Sequence, residues 1–438
     1  MSRYSRDRLP ATRWPRWGLV ALAALAACGG DSPAGPGRDL TPGSLLSSTA
    51  PSNGAVGYVT NLGSDNVSVI RTSDNTVVTT VAVGREPQEV AVTPDGAFAY
   101  VTNGFSNNVS VIRTADNTVV ATVAVGDHPL GVAVTPDGAF AYVTHFRSNN
   151  VSVIRTSDNT VVATVAIGSV AVGVAVTPDG AFAYVTHFNS VNVSVIRTSD
   201  NAVVATVAVG DNPLSVAFTP DGAFAYVANQ LSNNVSVIRT ADNTVVATVA
   251  VGRGPSSVAV TPDGAFAYVT NLFSNNVSVI RTADNTVVTT VAVGISPTGV
   301  AVTPDGAFAY VTNFLSNNVS VIRTADNTVV TTVAVGISPS GVAVTPTPAG
   351  ACTIEALVEH VNALSAAGKL SQAESHALSV KLEAALRLLE RGKTKAAGNA
   401  IGAFLNQVGA LVRSRRLSEA EAGPLRDEAA CVRTQLHG

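Results

Sequence analysis

Residues 93–126 read TPDGAFAYVTNGFSNNVSVIRTADNTVVATVAVG. Near-copies of this stretch occupy most of the chain, and a shared tyrosine recurs every 42 residues. The seven tyrosines are Tyr58, Tyr100, Tyr142, Tyr184, Tyr226, Tyr268 and Tyr310. A period of about 40 to 50 residues that contains several strand-forming runs is typical of propeller blades. The period therefore predicts a mainly β chain built from seven blades.

Each repeat has room for four strands, which we name A to D in chain order. In the repeat that spans residues 132–168, strands are predicted over 132–135, 140–144, 151–156 and 161–167. Asp, Asn and Gly occupy the tight turns between them, where the backbone needs positive φ. Val, Ile, Thr, Phe and Tyr fill the strands. The strands are apolar on both sides, which indicates sheets that are covered on both faces.

The two ends of the repeat array complement each other. The first repeat begins at its strand B, near Val56, and has no strand A of its own. A surplus strand A stands at the other end, over residues 342–345. Pairing of these two segments completes the seventh blade and closes the ring without an open sheet edge. The alternative is an open array with an incomplete blade at each end.

A four-residue motif marks strand B of every repeat. Tyr-Val-Thr-Asn stands at 58–61, 100–103, 268–271 and 310–313, and close variants stand at 142–145, 184–187 and 226–229. These motifs resemble the YVTN family of β-propeller repeats, and the resemblance covers residues 53–346. It implies a seven-bladed propeller whose blades are four-stranded antiparallel sheets.

The repeats differ mainly in two sets of loops. The D–A loops join consecutive repeats, and the B–C loops lie within each repeat. In an up-and-down blade both sets share one side of the disc, here called the loop face, and the nearly invariant A–B and C–D turns share the constant face. Variation on one face is typical of a binding surface, although loops that merely tolerate drift would look the same. The candidate binding residues are Arg85, Glu86, His128, His145, Arg147 and His187.

Two of these candidates also have a purely structural interpretation. His145 and His187 stand where the other repeats have asparagine, so both could simply replace that residue beside a turn. No fixed ligand spacing connects the histidines, and we therefore expect neither a metal nor a cofactor. On the constant face, arginines such as Arg113 are predicted to pair with turn aspartates such as Asp95 or Asp116.

The preferred function is a binding scaffold for a protein, glycan or small-molecule ligand. The chain has no Gly-rich phosphate loop, nucleophile elbow or zinc-protease motif, which argues against an enzyme. One alternative is a hydrolase that resembles the seven-bladed lactonase propellers and would use Glu86, His128, His145 and Arg147. A second alternative is single-stranded DNA binding, which the resemblance of this chain to some periplasmic YVTN proteins implies. Residues 51–346 hold ten arginines, no lysine and eighteen acids, and this acidic balance argues against nucleic acid.

The N-terminus predicts export. Residues 1–27 combine five arginines with an apolar run that is too short to span a bilayer, which is typical of a signal peptide. The run ends in Leu25-Ala26-Ala27-Cys28-Gly29, which resembles the lipobox of bacterial lipoproteins. The resemblance implies a lipid on Cys28 and an envelope protein anchored in the outer membrane, facing the periplasm or the cell surface. A signal peptide without lipidation is the alternative. Residues 28–52 are rich in Gly, Ser and Pro and are predicted to be a flexible tether.

Residues 347–438 change to helical periodicity and are predicted to form a four-helix accessory domain. Capping boxes begin at Ser371 and Ser418, and Pro424 lies inside the last helix. Cys352 and Cys431 lie in the first and last helical segments, and we predict a disulfide between them. The segment resembles the FIMAH-type helical domain of secreted bacterial proteins, which implies no catalytic residue. We expect a monomer.

Overall fold

The computed structural model describes residues 55–346, 354–366, 368–389, 391 and 393–418, and nine residues between 422 and 436. The predicted signal peptide, the tether and the lipidation site Cys28 lie outside the described residues. So do Cys352 and Cys431, so the predicted disulfide stays a prediction. The description below therefore concerns the repeats and the helices that follow them.

The repeats form seven four-stranded antiparallel sheets, which confirms the predicted seven-bladed propeller. Blade 1 contains β1 (Val56–Asn61), β2 (Asn66–Arg71) and β3 (Thr76–Ala82), and the last strand of the array completes it. The other strands are β4 (Pro87–Val92), β5 (Phe98–Asn103), β6 (Asn108–Arg113), β7 (Thr118–Ala124), β8 (Pro129–Val134), β9 (Phe140–His145), β10 (Asn150–Arg155), β11 (Thr160–Ala166), β12 (Ala171–Val176), β13 (Phe182–His187), β14 (Asn192–Arg197), β15 (Ala202–Ala208), β16 (Pro213–Phe218), β17 (Phe224–Asn229), β18 (Asn234–Arg239), β19 (Thr244–Ala250), β20 (Pro255–Val260), β21 (Phe266–Asn271), β22 (Asn276–Arg281), β23 (Thr286–Ala292), β24 (Pro297–Val302), β25 (Phe308–Asn313), β26 (Asn318–Arg323), β27 (Thr328–Ala334) and β28 (Pro339–Val344).

The core of the propeller lies between the blades. Tyr142 and Val153 of blade 3 are buried and pack against Ala183 and Ile196 of blade 4, and the same cluster recurs at each blade junction. Such packing requires strands that are apolar on both faces, as the middle strands of every blade are. The outermost strand has a sheet neighbour on one side only, and Val161 and Val162 of β11 are exposed there.

The ring closes as the two ends of the array predict. β28 pairs with β1 in antiparallel register, with Val342 opposite Val59. Beyond the strand, the Thr345 N–H donates a hydrogen bond to the Val56 carbonyl at 2.9 Å. Val59 also joins the apolar cluster between blades 7 and 1, together with Tyr310. The closing junction therefore has the same construction as the six others.

The constant face is built from short local interactions. Arg113 Nη2 lies 2.5 Å from Asp116 Oδ2, as the sequence predicts. The predicted pairing of an arginine with Asp95 is wrong. The Asp95 carboxylate instead accepts hydrogen bonds from the Thr93 hydroxyl (2.5 Å) and the Ala97 N–H (2.9 Å). An aspartate in the A–B turn therefore stabilises its own turn, as short polar side chains in turns commonly do.

A few helices follow the propeller. They are α1 (Ile354–Ala366), α2 (Gln372–Leu389) and α3 (Thr394–Arg413), and the described residues between 422 and 436 are also helical. Their buried core includes Leu357, Leu382 and Phe404. The predicted capping box at the start of α2 is present, since the Ser371 N–H donates to Glu374 Oε2 at 2.8 Å. Among the described helices, none has both the length and the hydropathy that a bilayer span requires.

Candidate functional site

The two loops of each blade are hydrogen-bonded to each other on the loop face. In blade 2 the Gly104 N–H donates to the Glu86 carbonyl (2.9 Å), and the Phe105 N–H donates to the Arg85 carbonyl (3.2 Å). Blades 1, 3, 5, 6 and 7 make the same two bonds, so in these blades the third residue of the D–A loop lies beside the second residue of the B–C loop. The chemistry of the paired residues differs from blade to blade, and in blade 1 the B–C member is Gly63, which has no side chain.

Repeated side-chain hydrogen bonds fix these loops in place. The Arg85 N–H donates to Ser106 Oγ (2.7 Å) of its own blade, and the Glu86 N–H donates to Asp65 Oδ1 (2.9 Å) of the preceding blade. Equivalent serines and asparagines serve most other blades. Glu86 and His128 adopt positive φ values of 54° and 56°, a conformation that costs energy for such residues. The loop face is thus a preformed surface.

Blades 2 and 3 form the charged sector of this face, defined by Arg85, Glu86, Asp127, His128 and Arg147. The Arg85 guanidinium lies over the exposed Phe105 ring, 4.8 Å from its centroid. Burial raises the pKa of Glu86, although the positive charges of Arg85 and Arg147 oppose this shift. Burial and the neighbouring Arg147 lower the pKa of His128. The sector therefore offers charges of both signs, and His128 favours its neutral form.

His145 and His187 lie below this surface, in the interior of their blades. Both are buried, and Nε2 of His145 lies 2.8 Å from Ser152 Oγ, while Nε2 of His187 lies 2.7 Å from Ser194 Oγ. Burial lowers the pKa of His145 to about 4 and also lowers that of His187. In blade 1 the corresponding Asn61 makes the same contact, from Nδ2 to Ser68 Oγ at 2.9 Å. The geometry therefore matches the structural interpretation, in which histidine replaces asparagine.

The four residues of the hydrolase alternative do not form a hydrogen-bonded constellation. Among the described residues, no hydrogen bond joins the side chains of Glu86, His128, His145 and Arg147, and His145 bonds to Ser152 instead. Over the same residues, no group of three or more His, Cys, Asp or Glu side chains is arranged to hold a metal ion. An acid–base pair needs its two groups within hydrogen-bonding reach, and this arrangement does not supply one.

Blades 6, 7 and 1 form a second, apolar sector that sequence reasoning missed. Four large apolar side chains define it, with exposed fractions from 50 % for Phe273 to 57 % for Ile337, and Ile295 and Leu315 lie between these values. Ile295 and Leu315 are a loop pair of blade 7, since the Leu315 N–H donates to the Ile295 carbonyl at 3.2 Å. The signal for this sector was the replacement of charged residues by isoleucine in the last two D–A loops.

A central channel opens at the middle of the ring and was also absent from the predicted site. The innermost strands line a cavity of about 340 Å³. Each blade contributes the residues that follow the first position of its strand A, such as Gln88 and Glu89 in β4. Burial raises the pKa of Glu89 to about 7. A weak hydrogen bond that its Oε1 accepts from the Val90 N–H (3.4 Å) opposes this shift, because it stabilises the ionised form.

Comparisons with known proteins agree with this architecture. A family model described as a YNCE-like beta-propeller matches residues 19–349, and a FIMAH domain model matches residues 354–433. No curated protein sequence matches the chain.

Solved structures of low sequence identity share the fold. A protein of unknown function from Desulfotomaculum acetoxidans is 22 % identical over 66 % of this chain and 99 % of its own, with a TM-score of 0.61. A candidate 6-phosphogluconolactonase from Bacteroides uniformis is 17 % identical over 67 % and 100 %, with a TM-score of 0.59. Hydrazine synthase from Kuenenia stuttgartiensis is 24 % identical over 58 % and 88 %, with a TM-score of 0.54. At these identities the likeness concerns the fold alone.

Proposed function

The chain belongs to the YNCE-like β-propeller family, and from this premise we propose that it is an envelope scaffold that binds a protein partner through its loop face. YNCE-like propellers and FIMAH domains are typical of bacterial extracytoplasmic proteins. The lipobox-like segment before Cys28 adds a lipid anchor to the proposal. Anchor, tether and propeller would together hold a rigid binding surface at a membrane.

This proposal rests on one observation. The loop face contains a charged sector and an apolar sector, and both are built on the same hydrogen-bonded loop backbone. The charged sector presents Arg85 and Arg147 beside acids, and the apolar sector presents Leu315 and Ile337 to solvent. Contiguous exposed apolar side chains beside polar ones are typical of protein-binding surfaces. Because the loops are already hydrogen-bonded in place, binding would cost little ordering entropy.

A photo-crosslinking experiment tests the proposal in the bacterium that makes the protein. We expect a benzoylphenylalanine residue in place of Leu315 to give a discrete adduct on irradiation, and Ile337→Asp to abolish it. The matched control carries the same residue in place of Val246, an exposed side chain on the outermost strand of blade 5. Equal adducts from both positions, or none from Leu315, would contradict a partner on the loop face.

The anchor has its own test. We expect Cys28→Ser to move the protein from the membrane fraction to the soluble fraction and to remove incorporation of labelled palmitate. Residue 28 precedes the repeats, so irradiation of a detergent lysate that contains the partner should still give the loop-face adduct. Membrane retention of the serine variant would show that the chain is not held by lipid.

Single-stranded nucleic acid is a second candidate ligand. The stack of Arg85 on Phe105 favours it, because exposed aromatic rings beside arginine provide platforms for unpaired bases. The net charge of −8 over residues 51–346 opposes it. Retention on single-stranded DNA that falls with rising salt and with Phe105→Ser would support this candidate, and passage through the column at low salt would exclude it.

A further inference from the structure

The wall of the central channel is divided into two chemically different arcs. One ring of the wall takes one side chain from each blade, namely Ser340, Gln88, Leu130, Val172, Leu214, Ser256 and Thr298 in blade order. The side chains of blades 3, 4 and 5 are aliphatic, and those of blades 6, 7, 1 and 2 are polar. A cavity of about 340 Å³ with an apolar side and a few polar groups falls within the range of small-molecule sites.

Glu89 adds a single charge at the border between the arcs. At its ring position the other blades have glycine or serine, so its side chain is the one long group there. A Cβ atom at Gly341 would lie 2.6 Å from Glu89 Oε1. Glycine in the neighbouring strand β28 therefore leaves the space that the carboxyl group occupies. Leu130, the first aliphatic member of the ring, lies in the next blade.

No positive charge of the surrounding strands neutralises this carboxyl group. β4 packs against β28, β1, β5 and β8, and these strands contain no other Asp, Glu, His, Lys or Arg. Their titratable groups are Tyr58 and Tyr100, whose hydroxyls donate to Asn117 Oδ1 (2.6 Å) and Asn159 Oδ1 (2.7 Å). The ionised form of Glu89 therefore lacks a counter-ion within the described channel, and a half-buried charge is stabilised when a cation approaches.

We propose that the central channel binds a small organic ammonium ion, with its cationic group at Glu89 and its alkyl part against Leu130, Val172 and Leu214. One carboxyl group suits one positive charge, and the aliphatic arc suits a hydrocarbon chain rather than a hydrated metal ion. This site is lined by the innermost strands, so it requires no partner on the loop face.

Calorimetric titration of the full chain with hexylammonium chloride at pH 8.5 tests the site. We expect saturable binding that Glu89→Gln weakens at least tenfold, because the neutral amide removes the charge and keeps the shape. Asp211→Asn is the matched control, since it removes an exposed carboxyl group of the loop face outside the charged sector, and it should leave the affinity unchanged. Hexan-1-ol, which has the same alkyl chain without the charge, should bind at least tenfold more weakly.

Acidification gives a second readout. With a Glu89 pKa of about 7, we expect the affinity for hexylammonium at pH 5.5 to be about thirtyfold lower than at pH 8.5, because only the ionised fraction binds. This loss should be absent in Glu89→Gln. Equal affinities of the wild type and Glu89→Gln would overturn the proposal, as would equal binding of hexan-1-ol or no binding at millimolar amine. Ammonium chloride that binds as well as hexylammonium would exclude the role of the aliphatic arc.

Discussion

Among the described residues that line the channel, Glu89 alone carries a side chain that titrates near neutral pH. Its folded-state pKa is about 7, whereas an unfolded glutamate titrates near 4.5. Between these values the folded state binds the extra proton, so the free energy of unfolding falls as the pH rises from 4.5 to 7. We predict that Glu89→Gln stabilises the protein by about 1–3 kcal/mol at pH 8. Urea unfolding at pH 8 measures this difference.

The same titration contains its own control at low pH. Below about pH 4.5 both states of the wild type are protonated at this position, so the contribution of ionisation to the difference between Glu89→Gln and wild type should disappear. A stability difference that is the same at pH 4.5 and pH 8 would show that the amide acts through packing and that the carboxyl group is not shifted.

His145 makes the opposite prediction. Burial holds its folded-state pKa near 4, and an unfolded histidine titrates near 6.5. Between these values the unfolded state binds the proton, so the wild type loses stability as the pH falls from 6.5 towards 4. His145→Asn restores the side chain that blade 1 has at Asn61. We predict that the variant gains about 2 kcal/mol relative to wild type between pH 7.5 and pH 5. A pH-independent difference in thermal or urea unfolding would contradict the buried, neutral histidine.

At the scale of secondary structure, most strand boundaries could be predicted from the sequence. For blade 3 the predicted strands end within a residue of β9, β10 and β11, because Asp, Asn and Gly define both sides of each turn. Strand A was predicted from Val132, but β8 begins at Pro129, which the register places opposite His145 across a bulge. Proline predicts a loop by its missing N–H donor, but it is compatible with the first position of a strand.

That difference explains why the channel was missed. The residues that line it directly follow the proline, as Gln88 and Glu89 follow Pro87. If the strand began three residues later, these residues would belong to the D–A loop at the edge of the loop face and not to the innermost strand. The pairing of the D–A and B–C loops was equally hidden, since it joins residues about 20 positions apart. The apolar sector follows from that pairing and from the closure of the ring.

The closing strand pair can be tested with a designed disulfide. Val59 and Val342 are register partners between β1 and β28, and Val227 and Val216 are the equivalent partners between β17 and β16. The native cysteines would be replaced by serine in both variants. Cysteines at 59 and 342 close a loop of nearly the whole ring, and those at 216 and 227 close a short hairpin. Chain entropy then predicts that the closing bond stabilises by about 3 kcal/mol more than the hairpin bond.

The two designed disulfides join equivalent register positions of strands A and B, so differences in bond strain largely cancel. Guanidinium unfolding of each variant, oxidised and reduced, measures the effect of each bond. Equal stabilisation by the two bonds would mean that the ends of the array already remain close in the unfolded chain. Failure of the 59–342 pair to oxidise would contradict the pairing of β28 with β1.

At the scale of the whole molecule, the pairing of β28 with β1 joins the two ends of the repeat array. Blades 7 and 1 then meet in a junction equivalent to the six others. The charged and apolar sectors lie in different blades of this ring, and the apolar sector spans the junction between blades 7 and 1. The loop that carries Ile337 is held on both sides of this junction, because the Ile337 N–H donates to Ser64 Oγ of blade 1 (2.7 Å) and the Ser338 N–H donates to Asn317 Oδ1 of blade 7 (2.9 Å). Closure thus connects the stability of the fold to the binding surface that we propose.

The tyrosines that define the repeat report on this closure. Tyr142 OH donates to Asn201 Oδ1 at 2.7 Å across an internal junction, and Tyr310 OH donates to Asn75 Oδ1 at 2.5 Å across the closing one. Both rings are buried, so removal of either hydroxyl leaves the packing intact and costs about 1 kcal/mol. We predict that Tyr310→Phe and Tyr142→Phe lower the free energy of unfolding equally in urea titrations. If blade 1 separated readily from blade 7 in solution, Tyr310→Phe would have the smaller effect, because its hydrogen bond would already be broken in much of the native population.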